Sequence, residues 1–94
     1  MQKPPLESNV ADLAPAEPVV TLYDYTHLVT YWRLLDANKE GADWREVSRI
    51  VLRIDPAREP QRARQVYDSH LARAKWMSAE GYRHLLRGDI AGLH

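Results

Sequence analysis

The sequence predicts an all-α fold: a small helical domain of about four helices, a helix-turn-helix variant with an extended turn, preceded by a disordered tail. Three observations lead there. Apolar residues recur at spacings of three and four in successive stretches. A connector holding Pro56 and Pro60 separates two of those stretches. The first 20 residues hold Pro4, Pro5, Pro15 and Pro18 among small and acidic residues. The chain therefore divides into a Pro-rich acidic tail, residues 1–20, and an extended-turn helix-turn-helix domain, residues 21–90.

The tail is too polar to bury a core; it either solubilises the domain or docks on a partner. The first helix is expected after Asp24 or Thr26 and runs to about Ala37, with Leu28, Tyr31, Trp32 and Leu35 on one stripe and Gly41 as its stop. Val29 and Leu34 fall off that stripe. Either the helix is buried on more than one side or it leaves apolar surface for a partner, which Tyr23 and Tyr25 would extend.

The second helix opens at Asp43, whose carboxylate suits a helix N-terminus, and Glu46 completes a capping-box pattern. Trp44, Val47, Ile50, Val51 and Ile54 share one face at about 100° per residue, a face that must be buried. Pro56 and Pro60 end that helix, since each lacks an N–H and disfavours α geometry in the residue before it. Pro60 fits the first position of the next helix. From there Ala63, Val66, Tyr67, His70, Leu71, Ala74 and Met77 trace an apolar stripe. Beyond it two paths are open. Ser78 caps a last short helix through Leu86, ended by Gly88 and packed through Tyr82, Leu85 and Leu86, or the long helix runs straight through Ser78 with Gly81 only a weak break. Asp89 to His94 have little to anchor them.

Composition excludes several functions. With 94 residues and a formal net charge of zero, the chain supports one small domain with no global attraction to nucleic acid or membrane. Charge is unevenly placed: residues 1–27 carry Lys3 against Glu7, Asp12, Glu17 and Asp24, while residues 28–94 carry 12 basic and 9 acidic side chains. The absence of cysteine excludes disulfides and thiolate metal sites. No run approaches the ~20 apolar residues of a membrane span, and the N-terminus lacks a signal-peptide core, so a cytoplasmic protein is expected.

Catalysis finds no support. His27, His70, His84 and His94 are scattered, His70 sits inside an apolar stripe, and phosphate-loop, zincin and nucleophile motifs are missing. Glu80 and His84 have the spacing of a surface ion pair. No cofactor, metal or catalytic residue is expected. Nucleic-acid binding is the obvious alternative for a helix-turn-helix, yet the side of the long helix opposite its stripe centres on Gln61, Gln65, Asp68, Ser69 and Ala72, with arginines only at its margins. A groove-reading helix brings several cations to phosphates. Asp68 opposes that. A direct DNA-binding repressor or accessory factor would rely on Arg58, Arg62, Arg64 and Arg73. Trp76 lies off the stripe, either under the terminal helix or exposed as an interface anchor.

The opening Ala42-Asp43-Trp44-Arg45-Glu46-Val47 and the close Gly81-Tyr82-Arg83-His84-Leu85-Leu86-Arg87-Gly88 resemble the extended-turn helix-turn-helix domain of regulators carried on integrative and conjugative elements. The likeness runs from about Tyr23 to Gly88 and is strongest to the small QseM-like antiactivators. It implies a protein–protein interaction in transcription regulation. Longer members of that family activate transcription; the antiactivators bind the N-terminal domain of the activator of element excision and block the transcription that excision and conjugative transfer require. A quorum-sensing activator is a second implied target. The short tail and the non-basic long helix favour the antiactivator, with weak or no DNA binding. Candidate partner-binding residues are Trp32, Trp76, Tyr82, Arg83 and Leu86, chosen as aromatic, apolar and arginine side chains near helix surfaces.

Overall fold

The computed structural model describes residues 9–87 and 90–91, with the side chains of Leu85, Ile90 and Ala91 excepted. The expectations for residues 1–8, for Leu85 packing, for Gly88 as terminator and for Asp89 and 92–94 lie outside the described residues. The order of elements is β1 (Val20–Thr21), α1 (Leu22–Thr26), α2 (Leu28–Lys39), α3 (Trp44–Val47), α4 (Pro60–Trp76), α5 (Tyr82–Leu86) and β2 (Ile90–Ala91). Helix α3 continues into a π-helical turn over Ser48–Leu52, and α4 joins α5 through a second one over Met77–Gly81. The fold is mostly helical, as expected, with the long helix α4 at its centre.

Each helix end has a local cause. Thr21 and Asp24 form a reciprocal capping box on α1: the Asp24 N–H donates to Thr21 Oγ1 at 3.2 Å, and the Thr21 N–H donates to Asp24 Oδ2 at 2.9 Å. Helix α2 ends past Glu40 at Gly41, with φ +73°, and the Ala42 N–H donates to the Ala37 carbonyl while the Gly41 N–H donates to that of Asn38. That pair of bonds is the Schellman closure, which needs a left-handed residue where Gly41 stands. Asp43 caps α3 by accepting the Arg45 N–H at 3.0 Å. Asp55 holds the extended turn, its carboxylate accepting from Ala57 and its carbonyl from Arg58 and Glu59, and Pro60 then occupies the first position of α4.

The buried stripe of α4 is the expected one: Ala63, Val66, Tyr67, His70, Ala74 and Met77 are buried and Leu71 is half-buried. Two core clusters share this helix. Leu34 of α2, Val47, Leu52 and Ile54 pack with Ala63, Val66 and Tyr67; Val20 and Tyr31 pack with Ala74 and Met77. A parallel bridge between β1 and β2 registers Val20 with Ile90 and Thr21 with Ala91, which ties down a segment expected to have little anchorage.

Three placements differ from expectation. Ile50, assigned to the buried face of the second helix, is 68% exposed, and Leu52 is buried instead. The π turn is the reason: it closes i to i+5, so the position that follows Val47 into the core is Leu52. Its last bonds converge on the Ser48 carbonyl, which accepts from Arg53 and Ile54 while Arg53 takes left-handed φ 60°. In α2 the buried positions are Thr30, Tyr31 and Leu34, so Trp32, placed on the buried stripe, is 67% exposed. Finally, the helical path runs through Ser78 and Gly81 without a new cap, the second of the two paths considered. Gly81 is buried, and a Cβ there would stand 2.5 Å from Met77 Sδ and 2.9 Å from the Trp76 ring.

Gly41→Ala isolates the backbone term of the α2 stop, because no heavy atom lies within 4 Å of the added methyl. The variant is expected to lose about 1 kcal/mol, the cost of a left-handed L-residue, read as a lower urea midpoint at unchanged slope.

Candidate protein-interaction surface

The polar interior decides which side chains of α4 and of the N-terminal segment remain available. Asp24 is fully buried and Arg73 is 4% exposed. Arg73 grips the carboxylate with two N–H groups, Nε to Oδ1 at 2.9 Å and Nη2 to Oδ2 at 2.7 Å, and Tyr31 donates its hydroxyl to Oδ1 at 2.7 Å. The remaining donors of Arg73 go to the carbonyls of Glu17 at 2.6 Å and Val19 at 2.7 Å. Burial works to raise the Asp24 pKa, but the hydrogen bonds from Arg73, Thr21 and Tyr31, with the Arg73 charge, outweigh it and hold the carboxyl below its usual range. Tyr31 is pushed well above the ordinary phenol range by burial and by its bond to Asp24.

Beside this pair, His70 is fully buried. Its Nδ1 lies 2.8 Å from the Val66 carbonyl, which can only accept, so Nδ1 carries the proton. Tyr23 accepts the Ala11 N–H at 2.9 Å and gives its own proton to His70 Nε2 at 2.5 Å. His70 is thus satisfied as the neutral imidazole, and burial lowers its pKa. It is a core histidine, as the stripe suggested. His27 stacks on Tyr23 at 3.9 Å between ring centroids and reaches the Asn9 carbonyl through Nε2 at 3.0 Å.

Residues 9–19 carry no helix or strand, and they run along the helices rather than away from them. Besides the contacts above, Arg62 donates to the Asp12 carboxylate at 2.8 Å, Gln65 to the Asp12 carbonyl at 3.4 Å, and the Ala14 N–H to Ser69 Oγ at 3.2 Å. Of the four arginines named for a DNA-binding alternative, Arg73 is therefore buried, Arg62 is paired with Asp12 and Glu59, and Arg64 is paired with Asp68 and stands over the Trp44 ring at 4.9 Å. Arg58 is exposed at the turn beside Asp55 and Glu59. Arg73 thus lies inside and not at the margin of the exposed side, because its partner Asp24 is 49 positions away and invisible to a projection at about 100° per residue.

Four of the five partner candidates line two hollows that share Tyr82, and Trp76 lines neither. Trp32 and Tyr82 line a cleft of about 330 Å³ with Leu28, Tyr31, Leu35, Ala74, Met77 and Ser78. Tyr82 also borders a second hollow, with Arg83, His84 and Leu86. Tyr82 is 49% exposed and Leu86 79%, so the packing on the core expected of them does not occur. Trp76 is half-buried, its ring between the Arg73 guanidinium at 4.0 Å and the His84 ring at 5.9 Å, and it faces the N-terminal segment. The expected Glu80–His84 pairing gives way to this ring stack.

Among the described residues, no group of three or more His, Cys, Asp or Glu side chains is placed to hold a metal ion, and no helix is long and apolar enough to cross a membrane. No family model matches the chain, and no curated protein matches it.

Two outcomes follow from the polar interior. Asp24→Leu leaves a buried guanidinium without its counter-charge and is expected to cost about 3–5 kcal/mol, whereas Asp24→Leu combined with Arg73→Met recovers most of that loss, because removing both charges also removes their desolvation cost; urea denaturation of Asp24→Leu, Arg73→Met and the double variant reads the coupling. His70 contributes in a different pH window. Its folded pKa lies below the unfolded value of about 6.5, so the unfolded chain binds the proton first. The stability it supplies is complete above that value and is lost as pH falls through the folded pKa, at up to about 1.4 kcal/mol per pH unit. Wild type is expected to weaken between pH 7.5 and 5.5, and His70→Gln to lack that part of the slope.

Proposed function

We propose that this chain is a cytoplasmic antiactivator: a small helix-turn-helix protein that binds a transcriptional activator of element excision, through the activator's N-terminal domain, and blocks the transcription needed for excision and conjugative transfer of an integrative and conjugative element. A quorum-sensing activator is the second target in this reading. The family assignment rests on the resemblance carried by the Trp44-Arg45-Glu46-Val47 opening and the Gly81 to Gly88 close. The observation that carries the mode of action is the aromatic cleft. Trp32, Tyr82 and Leu86 are among the most exposed large apolar side chains described, and the first two border a hollow floored by Leu28, Leu35 and Met77. Apolar surface of this kind, with large aromatics at its edge, is what protein partners cover.

The other face supports the same reading. A DNA-binding helix draws much of its affinity from cations brought to phosphates. Here Arg62 and Arg64 are each already opposed by carboxylates and Arg73 is inside. The exposed charges of α4 are Arg62, Arg64 and Lys75 against Asp68, and the first two are met by Asp12, Glu59 and Asp68.

In this reading the protein retains the activator's N-terminal domain in co-purification and does not shift the activator's promoter DNA at physiological salt. Trp32→Ala and Tyr82→Ala are each expected to weaken the complex at least about tenfold, the effect of truncating an interface anchor worth more than 1 kcal/mol, while Arg62→Glu leaves it unchanged. Undiminished affinity in both aromatic variants, or a specific DNA shift by this protein alone, would overturn the assignment.

A further inference from the structure

We propose that the flank of α4 bearing Arg62, Gln65 and Ser69 is a peptide-recognition site, which takes a segment of the Val-x-Asp-x-Ala-Pro type from another chain and is filled internally by residues 10–15. The resident segment displays the chemistry. Val10, Ala14 and Pro15 are half-buried while Ala11, Asp12 and Leu13 are exposed, and the chain bends at Asp12 and Leu13, where the Asp12 carboxylate meets the helix. Val10 packs against the first core cluster. Asp12 takes Arg62 on its carboxylate and Gln65 on its carbonyl, and the Ala14 N–H meets Ser69 Oγ. Positions 62, 65 and 69 are three and four apart, so they form one row along the helix. At the end of the row Pro15 and Ala16 border a cleft of about 370 Å³ with Ala72 and Trp76. An arginine for a carboxylate, an amide for a backbone carbonyl and a hydroxyl for a backbone N–H, in a row that ends at a cleft lined by proline and an aromatic ring, are means by which a proline-containing peptide is bound.

The resident segment is held unequally. At Glu17 and Val19 the buried Arg73 grips two carbonyls, which fixes where the segment joins the fold. Toward the N-terminus the Arg62–Asp12 pair has side chains 41% and 60% exposed, in the range where an ion pair contributes about 0–1 kcal/mol. Leu13 is 63% exposed. Before the Arg73 anchor the segment is held by the Arg62–Asp12 pair, by the Ala11–Tyr23 and His27–Asn9 hydrogen bonds and by Val10, contacts that a peptide of the same sequence can take over while Val20 stays in place. A tether this short gives the internal segment an effective concentration on the order of millimolar, which a competing peptide must overcome. The site shares none of Trp32, Tyr82 and Leu86 with the aromatic cleft, so the two surfaces fail or succeed separately.

The test uses the full-length chain with Val10→Ser, Asp12→Ser and Pro15→Gly, which removes the internal occupant, and a fluorescent peptide spanning Asn9 to Ala16. Anisotropy is expected to show binding at least about tenfold tighter than to the unaltered chain, and adding Arg62→Glu with Ser69→Ala should abolish it. No binding up to about 1 mM peptide, in a variant with wild-type circular dichroism, overturns the proposal. If the triple variant does not fold, the unaltered chain decides: saturating peptide accelerates glutamate-specific cleavage after Glu17, a bond absent from the peptide, and an unchanged rate overturns the proposal equally.

Discussion

The Asp24–Arg73 pair is the constraint on which the rest of the structure depends. Two opposite charges without water are costly unless geometry and further hydrogen bonds repay the desolvation. Here they do. The carboxylate accepts from the Thr21 backbone and hydroxyl, from Tyr31 and twice from Arg73, while the guanidinium spends its other donors on Glu17 and Val19. One contact thus joins α1, the first turn of α2, the last turn of α4 and the segment that enters β1. Hydrophobic burial alone, spread over two modest clusters, would leave the relative rotation of these short helices loosely set. A bidentate fork has a plane and a direction, so it sets them.

How much of this was legible in the chain differs by cause. Features written in a few adjacent residues could be read: Asp43 as cap, Gly41 as stop, the Pro56–Pro60 connector, and the α4 stripe from Ala63 to Met77. Features that need a second element could not. Asp24 read as one candidate start of a helix and Arg73 as a cation at a helix margin, because nothing local says that they meet across 49 positions. Residues 9–19 have the composition of a tail, and indeed form no helix or strand, but their anchorage runs through backbone groups such as the Glu17 and Val19 carbonyls, to which composition is blind. The candidate surface was half legible. Trp32, Tyr82 and Leu86 were named for their chemistry, while the cleft that joins the first two depends on how α2 meets the far end of α4.

The two π turns explain most of the remaining misreadings, and both lie at the ends of apolar stripes. A pattern of threes and fours assumes 3.6 residues per turn; one wider turn shifts every later position. At Ser48–Leu52 the shift exchanges Ile50 for Leu52 in the core. The first π turn leaves a cost, since the Ser48 hydroxyl is buried without a hydrogen-bond partner. At Met77–Gly81 a wider turn brings the Gly81 backbone onto Met77 and Trp76, where no side chain would fit.

The second shift has the larger consequence for the surface. Once Arg73 points inward, the rotation of α4 is decided: His70, Ala74 and Met77 face the core, and Arg62, Gln65 and Ser69 lie on the flank that residues 12–14 cross. Trp76 then has nowhere to go but over the Arg73 guanidinium, where a cation above its ring face contributes about 0.5–2 kcal/mol. Had the helix continued from there with ordinary turns, Tyr82 would stand about 80° past Ala74 and about 140° past Met77, to the side of the stripe. The extra residue in the turn brings Tyr82 back toward the stripe, half exposed at the edge of the α2–α4 cleft that it lines with Trp32. The aromatic cleft thus owes Tyr82 to the second π turn, and its exposed rings are not residues that merely failed to find a core.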